Sequence, residues 1–198
     1  YTSVFQPYGH AAGPSSPGVA TIKAHTSYRP HRRALEMPGV PPDVVTWASA
    51  RELEAARKDV TSLRELVDVV VVSCHWGVSG SHETLDYQRE IAEAVVEAGA
   101  DVVIGHHPHV VQGVEVIKGR PVFYSLGNFV FGWEKMQSRH RAGLLVECGI
   151  VEGHLDKVSV RAVWRDDEGG AFLVSLDSEE GELIAGQLSS LSERFSTQ

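Results

Sequence analysis

Three observations predict an α/β domain that starts on a parallel unit and becomes antiparallel, with α+β character, in its second half. Two strongly apolar runs, Asp68–Ser73 and Asp101–Ile104, flank a helical stretch in the order strand, helix, strand. Each run stops at a turn carrying Gly and His, which is where open α/β sheets present reactive side chains. Beyond Val110, apolar runs come in pairs joined by short Gly-containing turns, the pattern of hairpins.

Bulk composition sets the outer bounds. A chain of 198 residues with 42% apolar residues suffices for a single domain, 1–198, around one core. The net charge of −8 provides no broad basic face for nucleic acid. Arg29, Arg32 and Arg33 form a local cluster that reads as a solvated loop. No apolar run reaches the length of a membrane span, and the opening YTSVFQPYGH is not a signal peptide. Two cysteines, Cys74 and Cys148, do not make a disulfide framework. Both sit in apolar strand-like runs, where a thiol packs as a small hydrophobe.

In chain order, Tyr1–Pro42 is rich in Pro, Gly, Ser and His and shows no sustained periodicity, so segment 1–42 reads as irregular and loop-rich. His10, His25 and His31 lack ligand-like spacing there and read as surface histidines. Asp43–Trp47 is a short apolar run. Ser49-Ala-Arg-Glu52 follows as a capping box, and Leu53, Ala56, Val60, Leu63 and Val67 then form one buried helical stripe. The valines of Asp68–Ser73 predict a strand covered on both faces.

A second helix is expected from about Thr84 to Ala98, with Ile91, Ala94, Val95 and Ala98 inward and Gly99 ending it. Asp86, Gln88, Arg89 and Glu93 fall on or near its exposed face. Ala100–Ile104 completes a right-handed βαβ unit. Val114–Ile117 and Pro121–Leu126, about a Lys-Gly-Arg turn, read as one hairpin. Ala142–Val151 and His154–Trp164, about Glu152-Gly153, read as another. Ala171–Leu176 is a last strand and Ser178–Arg194 a last amphipathic helix. No internal repeat is present.

The candidate site sits on the loops after the two parallel strands. Gly105-His106-His107-Pro108-His109 places three imidazoles in four positions. Pro108 biases His107 towards extended geometry, in which His107 and His109 face one side. If the strands are neighbours, His75 projects into the same crevice. Imidazole suits zinc, iron, manganese or nickel, so His75, His107 and His109 are the expected ligands of a divalent ion. His106 should point away from His107, towards a supporting or substrate-contacting role. Cys74 should face away from His75, because neighbours on a strand alternate. Asn128, in Ser125-Leu126-Gly127-Asn128-Phe129, is either a polar contact in the site or a turn former.

His75-Trp76-Gly77, AGADVVIGHHPHVVQGVE at Ala98–Glu115 and PVFYSLGNFVF at Pro121–Phe131 resemble, in that order, the capsule-synthesis family typified by CapA and PgsA. These are poly-γ-glutamate biosynthesis proteins, and the resemblance covers about residues 40–150. The family is similar to calcineurin-like metallophosphoesterases. It therefore implies an α/β/β/α sandwich around a dinuclear metal site, with His75 as the isolated ligand histidine and His107 and His109 as the HxH pair. The segment at Asn128 resembles the Gly-Asn-His-Glu signature of such enzymes, but Phe129 and Val130 stand at the ligand positions. Val78-Ser79-Gly80 likewise replaces the Glu-Tyr pair that often follows HWG.

The motifs bringing Asp, Asn and His ligands from the first strands have no counterpart in Tyr1–Pro42. The resemblance therefore implies the C-terminal part of a longer domain. It implies hydrolysis in the full-length protein, with Mn, Fe or Zn as cofactor and His106 and Asn128 stabilising developing charge. A small-molecule or polymer-precursor substrate is expected, and subunits of a capsule-synthesis complex as partners. The source would be bacterial, and the location the cell surface through an upstream segment, or otherwise the cytoplasm. A phosphoesterase for a small phosphorylated substrate and a non-catalytic assembly module are the two alternatives.

Overall fold

The computed structural model describes residues 1–4, 11–13, 15–130 and 140–195. His10 and Phe131 therefore lie outside the described residues. The central sheet holds four strands: β3 (Val71–His75), β4 (Val102–His106), β6 (Arg120–Phe123) and β5 (Val114–Ile117), in that spatial order. β3, β4 and β6 run parallel, whereas β5 closes the sheet as the antiparallel partner of β6. Helix α2 (Asp86–Glu97) makes the crossover from β3 to β4, as the strand–helix–strand order predicts.

Two further sheets surround this core. β1 (Ala24–Arg29) and β2 (Asp43–Ala48) form an antiparallel ribbon. β1 lies inside the stretch that reads as irregular. Its exposed residues share their face with few apolar partners, so it carries little periodic signal. β7 (Ala142–Val151), β8 (His154–Arg165) and β9 (Ala171–Val174) make a three-stranded antiparallel sheet. α1 (Ala50–Arg64) lies beside α2, and α3 (Glu179–Ser192) packs on β8 with further contacts to β5 and β7. Parallel and antiparallel pairing thus coexist in one α/β chain.

One apolar core joins α1 and α2 to the central sheet through Val60, Ile91, Val95, Val72, Cys74, Val103 and Val122. A smaller one, around Val111, Leu144, Ala162 and Ile184, ties the second half together. Each fully buried aliphatic side chain contributes roughly 1.5–3 kcal/mol.

Several sequence expectations change on contact with the fold. β3 is not covered on both faces, because Val71 is 50% exposed while Val72 and Cys74 are buried. Here β3 has only Tyr1–Ser3 on its outer side, where Ser3 N–H donates to the His75 carbonyl. In α1, Leu53, Ala56 and Val60 are buried, but Leu63 is exposed, and so is Val67, past the end of the helix. Ser49 begins that helix without a side-chain cap, since the Glu52 carboxylate accepts instead from the Lys23 N–H at 2.6 Å.

On α2, Gln88 is fully buried and its side-chain amide donates through Nε2 to Gln112 Oε1. Arg89 spans the buried Glu115 carboxylate with two nitrogens, and Tyr124 donates its hydroxyl to the same group. These residues of the supposed solvated face are internal ties. Cys148 is exposed on β7, whereas Cys74 is buried as expected.

The tightest point of the fold lies at the end of β4. A Cβ on Gly105 would sit 2.0 Å from the Tyr124 carbonyl oxygen and 2.5 Å from Trp76 Nε1. Only a residue without a side chain lets these three segments meet. Gly105→Ala should therefore cost about 3 kcal/mol or more, at the severe end of overpacking. Urea denaturation followed by Trp fluorescence measures it, and a midpoint unchanged from wild type would contradict the packing described.

Candidate functional site

β3 and β4 are in register, with Val71 beside Val102 and His75 beside His106. Directly paired residues of parallel strands project to the same face, so both imidazoles emerge together at the sheet's carboxyl edge. Cys74 pairs with Gly105 and points the other way, into the core. Trp76, fully buried, anchors the turn after β3 by donating Nε1–H to the Tyr124 carbonyl at 2.8 Å.

The chain after β4 does not run extended as Pro108 suggests. His107 has φ +97° and His109 φ +62°, both in the left-handed region. The residue before a proline is pushed out of the right-handed helical region, and here His107 escapes to positive φ instead of β geometry. Two such non-glycine residues cost on the order of 1–3 kcal/mol each, strain of a kind that gathers at functional sites. The reversal brings the His107 and His109 rings to 5.6 Å between centroids, and His107 and His75 to 4.7 Å.

These rings line one cavity of about 450 Å³ with His106, Gly127, Asn128, Ile104, Leu126 and Leu144. His106 does not point away from the group; it shares the cavity wall. The structure thus brings together all five candidate residues, His75, His106, His107, His109 and Asn128. A larger cavity of about 490 Å³, lined by Val114, Phe123, Val160, Ile184 and Leu188 among others, has no titratable side chain. Size favours that one, but chemistry resides in the histidine cavity.

Asn128 reaches the site from a different segment. Gly127 and Gly143 form an antiparallel bridge, and Leu144 N–H donates to the Leu126 carbonyl at 2.8 Å. A Cβ on Gly143 would lie 2.3 Å from the Asn128 carbonyl oxygen, so the start of β7 presses directly on this segment. The Asn128 side chain is buried, and its Oδ1 lies 2.9 Å from His109 Nδ1. Its Nδ2 is buried and has no hydrogen-bond partner among the described residues. A buried donor left unpaired costs roughly 1–3 kcal/mol. The role of Gly143 in holding Asn128 has no signal in the local sequence, because it depends on a contact between distant segments.

Burial and repulsion favour the neutral form of three of these imidazoles. Burial is the main cause that lowers His75, His106 and His107 below the usual imidazole value. Mutual repulsion adds to it: His75 and His109 help to push His107 down to about 4. Neutral imidazoles offer lone pairs at physiological pH, which is the donor chemistry a divalent transition ion needs. The set is nevertheless open. Among the described residues no three His, Cys, Asp or Glu side chains close on one point as a metal-ligand group. Among the described residues no carboxylate lines the cavity either.

A mixed α/β chain with histidines on the loops after parallel strands defines a class of proteins with a site at the sheet's carboxyl edge. A family model described as bacterial capsule synthesis protein PGA_cap matches residues 4–133, and the chain belongs to that family. It is 50% identical over 118 residues to the capsule biosynthesis protein CapA of Bacillus anthracis, covering 58% of this chain and 24% of that protein. It is 40% identical over 100 residues to the PGA biosynthesis protein CapA of Bacillus subtilis, covering 50% of this chain and 24% of that protein. A probable polyglutamine synthesis accessory protein of Mycobacterium tuberculosis is 28% identical over 116 residues, covering 51% of this chain and 30% of that protein. The aligned stretches span about a quarter of the length of the Bacillus relatives.

The depressed imidazoles set a pH dependence of folding. Free imidazole titrates near 6.5, so below about that pH the unfolded chain binds protons that the folded site refuses. The stability held by these neutral rings is therefore complete above about pH 6.5 and is lost as pH falls towards about 4 for His107. The urea midpoint of the metal-free chain should fall through that window, and His107→Gln should flatten the slope. A midpoint independent of pH there would remove the electrostatic account.

Proposed function

We propose that this chain carries the histidine part of a metal-dependent phosphoester-hydrolysing centre, in a protein that serves capsule or poly-γ-glutamate biosynthesis. On this reading the central and the second antiparallel sheet belong to a metallophosphoesterase-like α/β/β/α sandwich. The observation that carries it is the group of imidazoles around one cavity at the carboxyl ends of two parallel strands, with His75, His106 and His107 held below the usual imidazole range by burial. Membership in the capsule-synthesis family supports the biological setting.

His75, His107 and His109 would hold a divalent ion such as Mn, Fe or Zn, each through a ring nitrogen, and burial favours the proton-free form of His75 and His107. Such an ion supplies Lewis-acid charge to a phosphoryl group and acidifies a water near neutral pH. His106 and Asn128 remain as the polar groups available to substrate oxygens. The apolar wall of Ile104, Leu126 and Leu144 lowers the local dielectric and strengthens each of these contacts. The substrate would be a small molecule or a polymer precursor. The partners would be other subunits of a capsule-synthesis complex, at a bacterial cell surface reached through an upstream segment, or else in the cytoplasm.

The open ligand set has its own consequence. Three neutral imidazoles leave the charge of a dication uncompensated, so carboxylates from elsewhere in the longer protein complete the site. Among the described residues no helix is long and apolar enough to cross a membrane.

The longest natural form of the protein should release phosphate from p-nitrophenyl phosphate when supplied with Mn²⁺ or Zn²⁺. His107→Ala should lower that release about 100-fold or more, since even outer-shell changes at metal sites cost 10–100-fold. Isothermal titration of the present chain with the same ions should show no tight dinuclear site. Absence of turnover by the natural form, with its ions bound, would favour the non-catalytic assembly module. Two ions held tightly by this chain alone would contradict the shared site.

A further inference from the structure

We infer that Asn128 works in two directions: its Oδ1 fixes the tautomer of His109, and its Nδ2 donates to an oxygen of the bound substrate. The inference deepens the hydrolytic reading above and rests on it for its second half.

The first half follows from one contact. Asn128 Oδ1 is only an acceptor, and it lies 2.9 Å from His109 Nδ1. A hydrogen bond there requires the proton on Nδ1, so Nε2 of the neutral ring keeps its lone pair. Second partners of this kind commonly decide which nitrogen of a ligating histidine is available. The amide itself cannot drift. Gly127 is bridged to Gly143, the Leu126 carbonyl accepts from Leu144, and Leu126 N–H donates to the Gly105 carbonyl. Asn128 is thus a positioning residue for His109, carried on a segment clamped from both sides.

The second half follows from what the amide leaves unused. Asn128 lines the histidine cavity, is only 5% exposed, and among the described residues has no acceptor for Nδ2. Folded proteins rarely strand a buried amide donor without purpose. An acceptor arriving with the ligand satisfies it, and an oxygen of a phosphate-like anion is the acceptor that suits a donor beside imidazoles. A side chain serving only as a turn former would instead spend its amide on nearby backbone, and no such bond is present for Nδ2.

Two substitutions separate the halves. Asn128→Asp keeps an acceptor for His109 and loses the donor; Asn128→Ala loses both. Nitrogen-15 NMR of the metal-free chain at mildly alkaline pH reads the His109 tautomer directly, and the amide spectrum reports whether each variant folds. Wild type and Asn128→Asp should carry the proton on Nδ1, whereas Asn128→Ala should shift it to Nε2. A wild-type ring protonated on Nε2 overturns the first half, whether or not the protein hydrolyses anything.

Inorganic phosphate is the probe for the second half, titrated calorimetrically into the longest natural form with Zn²⁺ present. Both variants should bind it about tenfold more weakly or worse, the usual loss for a hydrogen bond to a charged group. Equal binding by wild type and Asn128→Ala, including none by either, overturns the donor role. Weakening in Asn128→Asp alone also overturns it, because repulsion then explains the effect. Absence of turnover in an otherwise phosphate-binding protein would sink the hydrolytic reading and leave the Asn128 assignment standing.

Discussion

The Tyr124 carbonyl occupies the space that any side chain on residue 105 would need. That single close approach organises the molecule, because it draws three distant stretches to one point. Trp76 donates its indole N–H to the same carbonyl, and its backbone N–H donates to the His106 carbonyl at 3.0 Å. Leu126 N–H closes the figure on the Gly105 carbonyl at 3.2 Å. His75 and His106 stand one residue from this knot, and Asn128 four residues from Tyr124. His75 and His106, at the ends of β3 and β4, are therefore set by the packing and hydrogen bonding behind them.

The outer end of Tyr124 is secured as firmly as its carbonyl. Its hydroxyl donates to Glu115 at 2.5 Å, and Arg89 binds that carboxylate from α2. Burial and the Glu115 charge push the phenol far above its ordinary range, so it remains a donor at every physiological pH. Arg89 is held protonated, chiefly by its hydrogen bond to Glu115. Partial burial raises the worth of this pairing and also its vulnerability, since deleting one partner strands the others. The crossover helix is thereby pinned to the hairpin that leads into the Asn128 segment.

Much of this was legible in the sequence where the signal is local. The βαβ unit, both hairpins and α2 rest on periodicity and turn residues within short windows, and they occur where those windows place them. The capsule-family motifs HWG, GHHPH and SLGN, far apart in the chain, meet in space around one cavity. Long-range facts were not legible. Gln88 and Arg89 look solvated because their buried partners, Gln112 and Glu115, lie beyond the helix. Val71 looks buried because a run of valines does not reveal how completely its outer face is covered. His107 looks extended because the rule for residues before proline excludes one region without choosing among the rest. In the candidate site, residue identity was readable while ring placement was not: His106 joins the others only because β3 and β4 pair in that register.

Burial decides what kind of site these imidazoles can make. Exposed histidines clustered near an anion would gain protons and bind it as cations. Here desolvation and mutual repulsion work against the charged form, most strongly at His107. At neutral pH the cluster therefore offers lone pairs instead of positive charge, and an anion alone finds little Coulomb attraction among its rings. A cation is what such a cluster is chemically prepared to accept, and a bound cation in turn would make the same cavity attractive to a phosphate-like group. The unsatisfied amide of Asn128 fits this sequence of events: it adds a donor for an oxygen without adding a charge that would oppose the metal. Depressed imidazoles, an apolar wall and an amide N–H without a partner among the described residues are separate observations, and on the proposed reading each has a use.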